Sequence, residues 1–173
     1  MARCFGDGDP LYEAYHDDEW GRPVTGEQEL FERIVLESFQ SGLAWITILR
    51  KREGFRAAFA GFDIETVASF DATDVERLMA DASIVRNRAK IEAAISNAKA
   101  VLALHESGGT LRELVWTDDE PKVVAKRMKG LGFRFLGPTT VESAMQACGV
   151  IDGHGESCPT RARLDERGGP GRI

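Results

Sequence analysis

The sequence predicts an all-α protein, and three observations carry that reading. The pattern Ser/Thr-x-x-Glu/Gln, which opens helices through reciprocal side-chain-to-backbone bonds, occurs at Thr25–Gln28, Thr73–Glu76, Thr110–Glu113 and Thr139–Glu142. Apolar residues then recur at three- and four-residue spacing. No stretch shows sustained period-two alternation bounded by hairpin turns.

The elements follow in order. Leu30, Phe31, Ile34, Val35 and Phe39 mark a first long helix, and Trp45 to Phe59 a second, with Ser41-Gly42-Leu43-Ala44 as the bend between them. Ile64 with Val67, and Val75 with Leu78 and Met79, mark two short helices. The longest helix runs from about Ile84 to His105, with Ile91, Ala94, Ile95, Ala98, Val101 and Leu102 on one face, and His105 at its end. Shorter helices follow near Leu111–Trp116 and Val123–Lys129. The last runs from Thr139 to Cys148, with Cys148 in the core and Gly149 ending it. Residues 159–173, rich in Arg and Gly, read as a disordered tail.

With 173 residues the chain fits one domain. No apolar run reaches a membrane span, and no apolar leader is visible. Three cysteines make no disulfide framework, which points to a reducing cytoplasm. The net charge of −6 argues against a protein that coats nucleic acid non-specifically, but a local basic patch matters more than the total. Basic residues cluster at Arg50-Lys51-Arg52 with Arg56, at Arg86-Asn87-Arg88 with Lys90, and from Lys122 to Arg134; each reads as a solvated helix face.

Four residues carry the most chemistry. Cys4 and His16 (C-x11-H) lie at one end, and His154 and Cys158 (H-x3-C) at the other. Two thiolates and two imidazoles make a tetrahedral zinc set that would tie the chain ends together. Buried thiols and surface histidines are the alternative, because the spacing lacks tandem C-x2-C pairs. Tyr12 and Tyr15 are three apart and share one face in a helical turn. Glu37 sits within Ile34-Val35-Leu36-Glu37-Ser38-Phe39, either on the solvated face or buried and functional. Trp45 follows the Gly42 bend. Between the last two helices, Gly130-Leu131-Gly132-Phe133-Arg134-Phe135-Leu136-Gly137-Pro138-Thr139-Thr140 is either a packing turn or a hairpin whose backbone amides hold a phosphate, with Lys129 and Arg134 adding charge. Gly132 and Gly137 are the candidates for positive φ.

These pieces, in this order, resemble the 3-methyladenine DNA glycosylase I family of the helix-hairpin-helix superfamily. The matching blocks are Arg3-Cys4, Asp9-Pro10-Leu11-Tyr12, Tyr15-His16-Asp17-Asp18-Glu19-Trp20-Gly21, Leu36-Glu37, Gln40 to Thr47, Arg52-Glu53, Gly132 to Thr140, Met145 to Gly149, and the His154/Cys158 pair. The likeness covers roughly residues 3–158. A tryptophan usual in the family after the first cysteine is absent, and Phe5 only partly stands in.

The resemblance implies a helix-hairpin-helix glycosylase fold in which one structural Zn2+ on Cys4, His16, His154 and Cys158 joins the N- and C-terminal segments. It implies a single domain over residues 1–158, with two helical lobes around a base-binding cleft. Glu37 is the catalytic residue contacting the damaged base, and Tyr12, Tyr15 and Trp45 wall its pocket. Gly42 and Leu43 fill the gap in the duplex, while Gly132, Arg134, Gly137 and Thr139 anchor the DNA backbone. The implied activity is hydrolysis of the glycosidic bond of 3-methyladenine flipped from double-stranded alkylated DNA, in base excision repair. The implied protein is a bacterial, cytoplasmic monomer with no membrane partner. Relatives acting on bulkier alkylpurines, and a non-catalytic zinc-stabilised binder of damaged DNA, are the alternatives. Ile151-Asp152-Gly153-His154 resembles a catalytic Val-Asp-Thr-His element of related glycosylases; here Asp152 reads as a cap or as a group orienting His154.

Overall fold

The computed structural model of the chain describes residues 3–166, and among them the only regular structure is helical. The order is α1 (Pro10–Ala14), a π-helical turn (Tyr15–Glu19), α2 (Glu27–Gln40), α3 (Trp45–Ala58), a 3-10 turn (Ala60–Phe62), α4 (Ile64–Ala68), α5 (Ala72–Ala80), α6 (Arg88–Glu106), α7 (Leu111–Val115), α8 (Pro121–Gly130), α9 (Pro138–Ala147) and α10 (Pro159–Glu166).

Helix α2 is the hub. It packs against α3, α6, α7 and α9. From Ile34 to Phe39 every residue is buried, so over that turn and a half the helix has no solvent face. That is why Glu37 is inside: the exposed side on which a glutamate would ordinarily sit does not exist there. Phe39, Phe55, Phe59 and Phe62, all without exposed surface, meet ring to ring at 4.8–6.3 Å. Each such side chain contributes about 1.5–3 kcal/mol of burial. At the other end of α2, Glu27 accepts from His105 Nε2 at 2.7 Å and from the amides of Leu111 and Arg112, joining α2, the end of α6 and the start of α7.

Several helix starts differ from the sequence expectation. Of the four threonine pairs, Thr110–Glu113 alone forms the reciprocal box. At α5 the cap is Asp71, paired with Asp74: its carboxylate accepts from Thr73 N and Asp74 N, so the helix starts two residues earlier and Thr73 lies inside it. Gly26, not Thr25, precedes α2, and Gly137 precedes α9 with Pro138 in its first turn. The long helix begins at Arg88 because the Asn87 side chain accepts from Lys90 N and stops it extending back to Ile84.

The expected disorder from Pro159 is corrected. Pro159–Glu166 form α10, docked where Thr160, buried, donates its hydroxyl to Asp17 at 3.2 Å. Composition alone hid this, because one threonine making one buried contact leaves no periodic signal. Residues 167–173 lie outside the described residues. The solvated-face reading of Lys90 is also corrected: its side chain is buried.

Helices α8 and α9 pack as an antiparallel pair. At the end of α8, Gly132 N donates to Lys129 O (3.1 Å) and Phe133 N to Met128 O (3.0 Å), with Gly132 at φ +92°. At the end of α9 the same pair of bonds recurs at Gly149 and Val150. Gly149 is required twice over: its φ is +77°, and a Cβ there would lie 2.7 Å from Gly21 O.

Candidate functional site

The N-terminal strip is held by three ties. Asp9 caps α1, accepting from Leu11 N and Tyr12 N at 3.1 and 3.3 Å, and also ion-pairs with Arg50 of α3. Gly6 lies so close to Tyr12 that a Cβ would meet its backbone at 3.1 Å. The π-helical turn then widens the backbone at Tyr15 and His16. These neighbours are both buried and serve different places: Tyr15 lines a cavity, and His16 joins a Cys/His cluster.

The cavity measures about 170 Å³ and is lined by Phe5, Tyr12, Tyr15, Trp20, Glu37, Gln40, Trp45, Ser143 and Gln146. It is smaller than a drug-sized pocket and suits one flat heterocycle. Ring centroids lie 4.9 Å apart for Phe5 and Tyr12, and 5.4 Å for Tyr15 and Trp45. The indole Nε1 of Trp45 is buried with no hydrogen-bond partner. Burial holds the Tyr15 phenol protonated well above its ordinary range, so it remains a donor at any ordinary pH. Glu37 is 6% exposed. Burial pushes its carboxyl up to about 7, and the Arg33 guanidinium one helical turn away partly opposes the rise. Arg33 is itself fixed beneath Tyr15, 5.8 Å from the ring centroid, and bonded to Glu19. The same Glu19 receives two bonds from Arg52 at 2.6 and 2.9 Å.

The four Cys/His residues converge, their donor atoms all lying within 4.8 Å of one another. Cys158 Sγ is 3.6 Å from His16 Nε2 and 3.5 Å from His154 Nδ1; Cys4 Sγ is 3.9 Å from His154 Nδ1. Bonds of about 2.3 Å to sulfur and 2.0–2.1 Å to nitrogen place the corners of a tetrahedron about 3.4–3.8 Å apart, so the group fits a metal ion. The outer nitrogens are engaged as in metal-binding histidines: His16 Nδ1 with Asp17 at 2.8 Å, and His154 Nε2 with Trp20 O at 3.3 Å. Asp17 is in turn gripped by Arg3 at 2.9–3.0 Å, which holds its carboxyl far below the usual range. Asp152 accepts from His154 N at 2.9 Å and pairs with Arg161, and it does not line the cavity. It is a cap next to His154, as the sequence favoured.

The remaining candidates lie on two loops. Gly42 (φ +80°) and Leu43 (37% exposed) form the tip between α2 and α3. In the α8–α9 hairpin, Arg134 and Thr139 are exposed. Gly137 is corrected: its φ is −73°, and the left-handed residues of this hairpin are Gly132 and Phe135 (φ +57°). Gly137 serves as the residue before α9, where the amides of the first turn have no intrahelical partner. Sequence reasoning placed Tyr12, Tyr15, Glu37 and Trp45 around one cavity and did not foresee Phe5, Trp20, Gln40, Ser143 or Gln146. Gln40 was legible as the residue one turn after Glu37. Trp20 links cavity and cluster, its ring 4.5 Å from that of His154 and 5.8 Å from that of His16. Ser143 has no motif to mark it, and Gln146, three residues on, falls in the Met145–Gly149 block with no role assigned to it.

An all-helical frame thus holds a small aromatic cavity over a buried carboxylate, beside a Cys/His cluster that joins the N- and C-terminal segments, the layout of a helical small-ligand-binding protein. The family model for methyladenine glycosylase matches residues 5–125 and 117–162. The DNA-3-methyladenine glycosylase 1 of Escherichia coli K12 is 43% identical, over 91% of this chain and 96% of that protein. The DNA-3-methyladenine glycosylase of Haemophilus influenzae is 39% identical, over 87% and 92%. A crystal structure of 3-methyladenine DNA glycosylase I superposes with a TM-score of 0.87 at 42% identity, covering 91% of this chain and 98% of that one. The Staphylococcus aureus enzyme, whose structure concerns 3-methyladenine recognition, gives 0.85 at 36% identity over 90% and 94%. The chain belongs to the methyladenine glycosylase family.

Proposed function

We propose that this chain is a monofunctional DNA glycosylase that hydrolyses the bond between deoxyribose and 3-methyladenine in alkylated double-stranded DNA, the first step of base excision repair. The observation that carries the reading is Glu37, a carboxylate buried in a base-sized cavity walled by Tyr12, Tyr15 and Trp45. The relatives named above act on the same base by their names.

A base inside a duplex must first be everted, at a cost of a few kcal/mol that is least for a damaged pair. N3-methylation leaves the nucleoside positively charged, so the base is already a good leaving group. Aromatic walls favour such a cation by about 0.5–2 kcal/mol. Glu37 accepts from the N–H groups of the base, and a cation in the cavity draws its carboxyl back to the ionised form. The Tyr15 hydroxyl and the partnerless Trp45 Nε1 supply donors to the base edge. Water then captures the oxocarbenium-like sugar. No lysine lines the cavity among the described residues, which supports hydrolysis over a Schiff-base route. The small cavity favours 3-methyladenine over bulkier adducts.

Cys4, His16, His154 and Cys158 hold one structural Zn2+, which supplies fold stability and no chemistry at the base. Leu43 and Gly42 fill the space left by the everted base. The Gly132–Gly137 hairpin, with Arg134 and the first turn of α9 at Thr139, meets the phosphate backbone as a helix-hairpin-helix element. The domain of residues 1–158 works as two helical lobes about the cleft, as a monomer in a bacterial cytoplasm; among the described residues no helix is long and apolar enough to cross a membrane. Chromatography of bases released from methylated DNA tests the assignment. Release of 3-methyladenine in large excess over 7-methylguanine is expected. No release above the spontaneous rate would leave a damage-binding module instead.

A further inference from the structure

Lys90 is a puzzle on energetic grounds. It lies in the first turn of α6, where the helix dipole opposes a cation, and it is buried with no carboxylate partner among the described residues. Its ammonium donates to Phe39 O at 2.8 Å, near the end of α2, and to Ser41 O at 2.5 Å, just past it. Phe39 O lies just before the turn Gln40-Ser41-Gly42-Leu43, and Ser41 O lies within it. That turn is closed by Leu43 N to Gln40 O (2.7 Å), with Ser41 at φ −48°, ψ 119° and Gly42 at φ +80°, a type II geometry. Gln40 Nε2 adds a bond to Leu43 O at 2.6 Å.

Seven residues further along α6, Asn97 is wholly buried and makes a two-way clamp on the other loop. Its Nδ2 donates to Arg134 O at 3.0 Å, and its Oδ1 accepts from Arg134 N at 2.7 Å. A separation of seven residues is two helical turns, so both groups lie on one side of α6, roughly 10 Å apart along its axis. The two loops come from distant parts of the chain. Each is bolted to the same helix by a buried polar side chain whose bonds go to backbone in or immediately before the loop.

We propose that Lys90 and Asn97 are positioning residues, and that α6 is a rigid spacer fixing the distance between the Gly42–Leu43 tip and the Arg134 hairpin. The inference rests on the reading of those two loops as the DNA contacts. It goes further by naming what sets their separation, so that the tip enters the duplex in register with the phosphate held by the hairpin. The two bonds to Phe39 O and Ser41 O offset part of the cost of burying the cation at that end of α6.

The test is Lys90→Met, of similar length but without donors, assayed by single-turnover release of 3-methyladenine from duplex and from single-stranded methylated oligonucleotides, with free-base binding alongside. A tip displaced by a fraction of an ångström to an ångström lowers the duplex rate on the order of 10- to 100-fold. Free-base affinity and single-strand release, which need no tip, are expected within about threefold of the parent. In a Leu43→Ala background the effect of Lys90→Met should largely disappear. Asn97→Leu should instead raise KM on duplex DNA with kcat little changed. Lys90→Gln, which keeps one donor, should fall between the parent and Lys90→Met, and it serves if Lys90→Met does not fold. Equal losses on duplex, single strand and free base, or an undiminished effect in the Leu43→Ala background, overturn the spacer. A parent protein that releases no base refutes the glycosylase reading; an active parent with a fully active Leu43→Ala variant refutes the role of the tip.

Discussion

Replacing Glu37 by Gln should make the protein more stable and less functional at once. The Glu37 carboxyl is 6% exposed and its pKa is raised to about 7 from 4.5. A carboxyl that titrates higher in the folded state binds its proton more tightly there, so stability is lost as pH rises from 4.5 to about 7 and stays lost above. The shift corresponds to about 3 kcal/mol at pH 8, on the order of 1.36 kcal/mol per unit, and to almost nothing at pH 4.5. Glutamine fills the same space without a charge. Thermal unfolding should therefore place Glu37→Gln roughly 6–12 °C above the parent at pH 8, with the gap closing towards pH 4.5. Binding should move the other way. The amide loses a charge-assisted hydrogen bond of about 1.5–3 kcal/mol to the base, roughly a 10- to 150-fold weaker affinity for 3-methyladenine. In the parent, that affinity should rise with pH through about 7 as the carboxylate forms. A gain in stability that does not vary with pH, or no gain at pH 8, would refute the burial argument. Unchanged base affinity would remove Glu37 from the site.

Other expectations follow from the same geometry. Unfolding the protein in chelator and then diluting out the denaturant should prevent refolding, which far-UV circular dichroism reads directly. Cys158→Ser should reduce metal content and lower the melting temperature, since it removes one of four donors. Gly149→Ala should cost at least about 2 kcal/mol in urea unfolding, because a left-handed residue would also carry a Cβ 2.7 Å from Gly21 O. Gly132→Ala, where the added Cβ meets open space, should cost about 1–2 kcal/mol. Trp45→Leu should slow release of the cationic base from DNA about 2- to 30-fold, measured in a single turnover.

Much of this molecule was legible because its helices carry regular apolar spacing and its ligands are rare residue types. Cys4, His16, His154 and Cys158 stand out in a chain with three cysteines and three histidines, and they do meet. Glu37 stood out only as an acid in an apolar run. Spacing left its burial open, because burial depends on α2 being enclosed by α3, α6, α7 and α9. Lys90 was hidden for the opposite reason. It sits in a basic run that reads as a solvated face, and its partners are carbonyls about fifty residues away that have no side-chain signature. Tertiary partners likewise decide Thr160, which orders α10 through Asp17, and Ser143 and Gln146, which reach the cavity from α9.

The central claim joins two things: a metal pinning the chain ends, and the aromatic strip it fixes closing a socket over Glu37. Metal content and affinity for free 3-methyladenine, determined on the same samples as zinc is progressively withdrawn, address both together. One zinc per chain and base affinity that declines in step with its loss are the predicted result. Protein purified without chelator that carries no metal yet binds the base at full strength would contradict it.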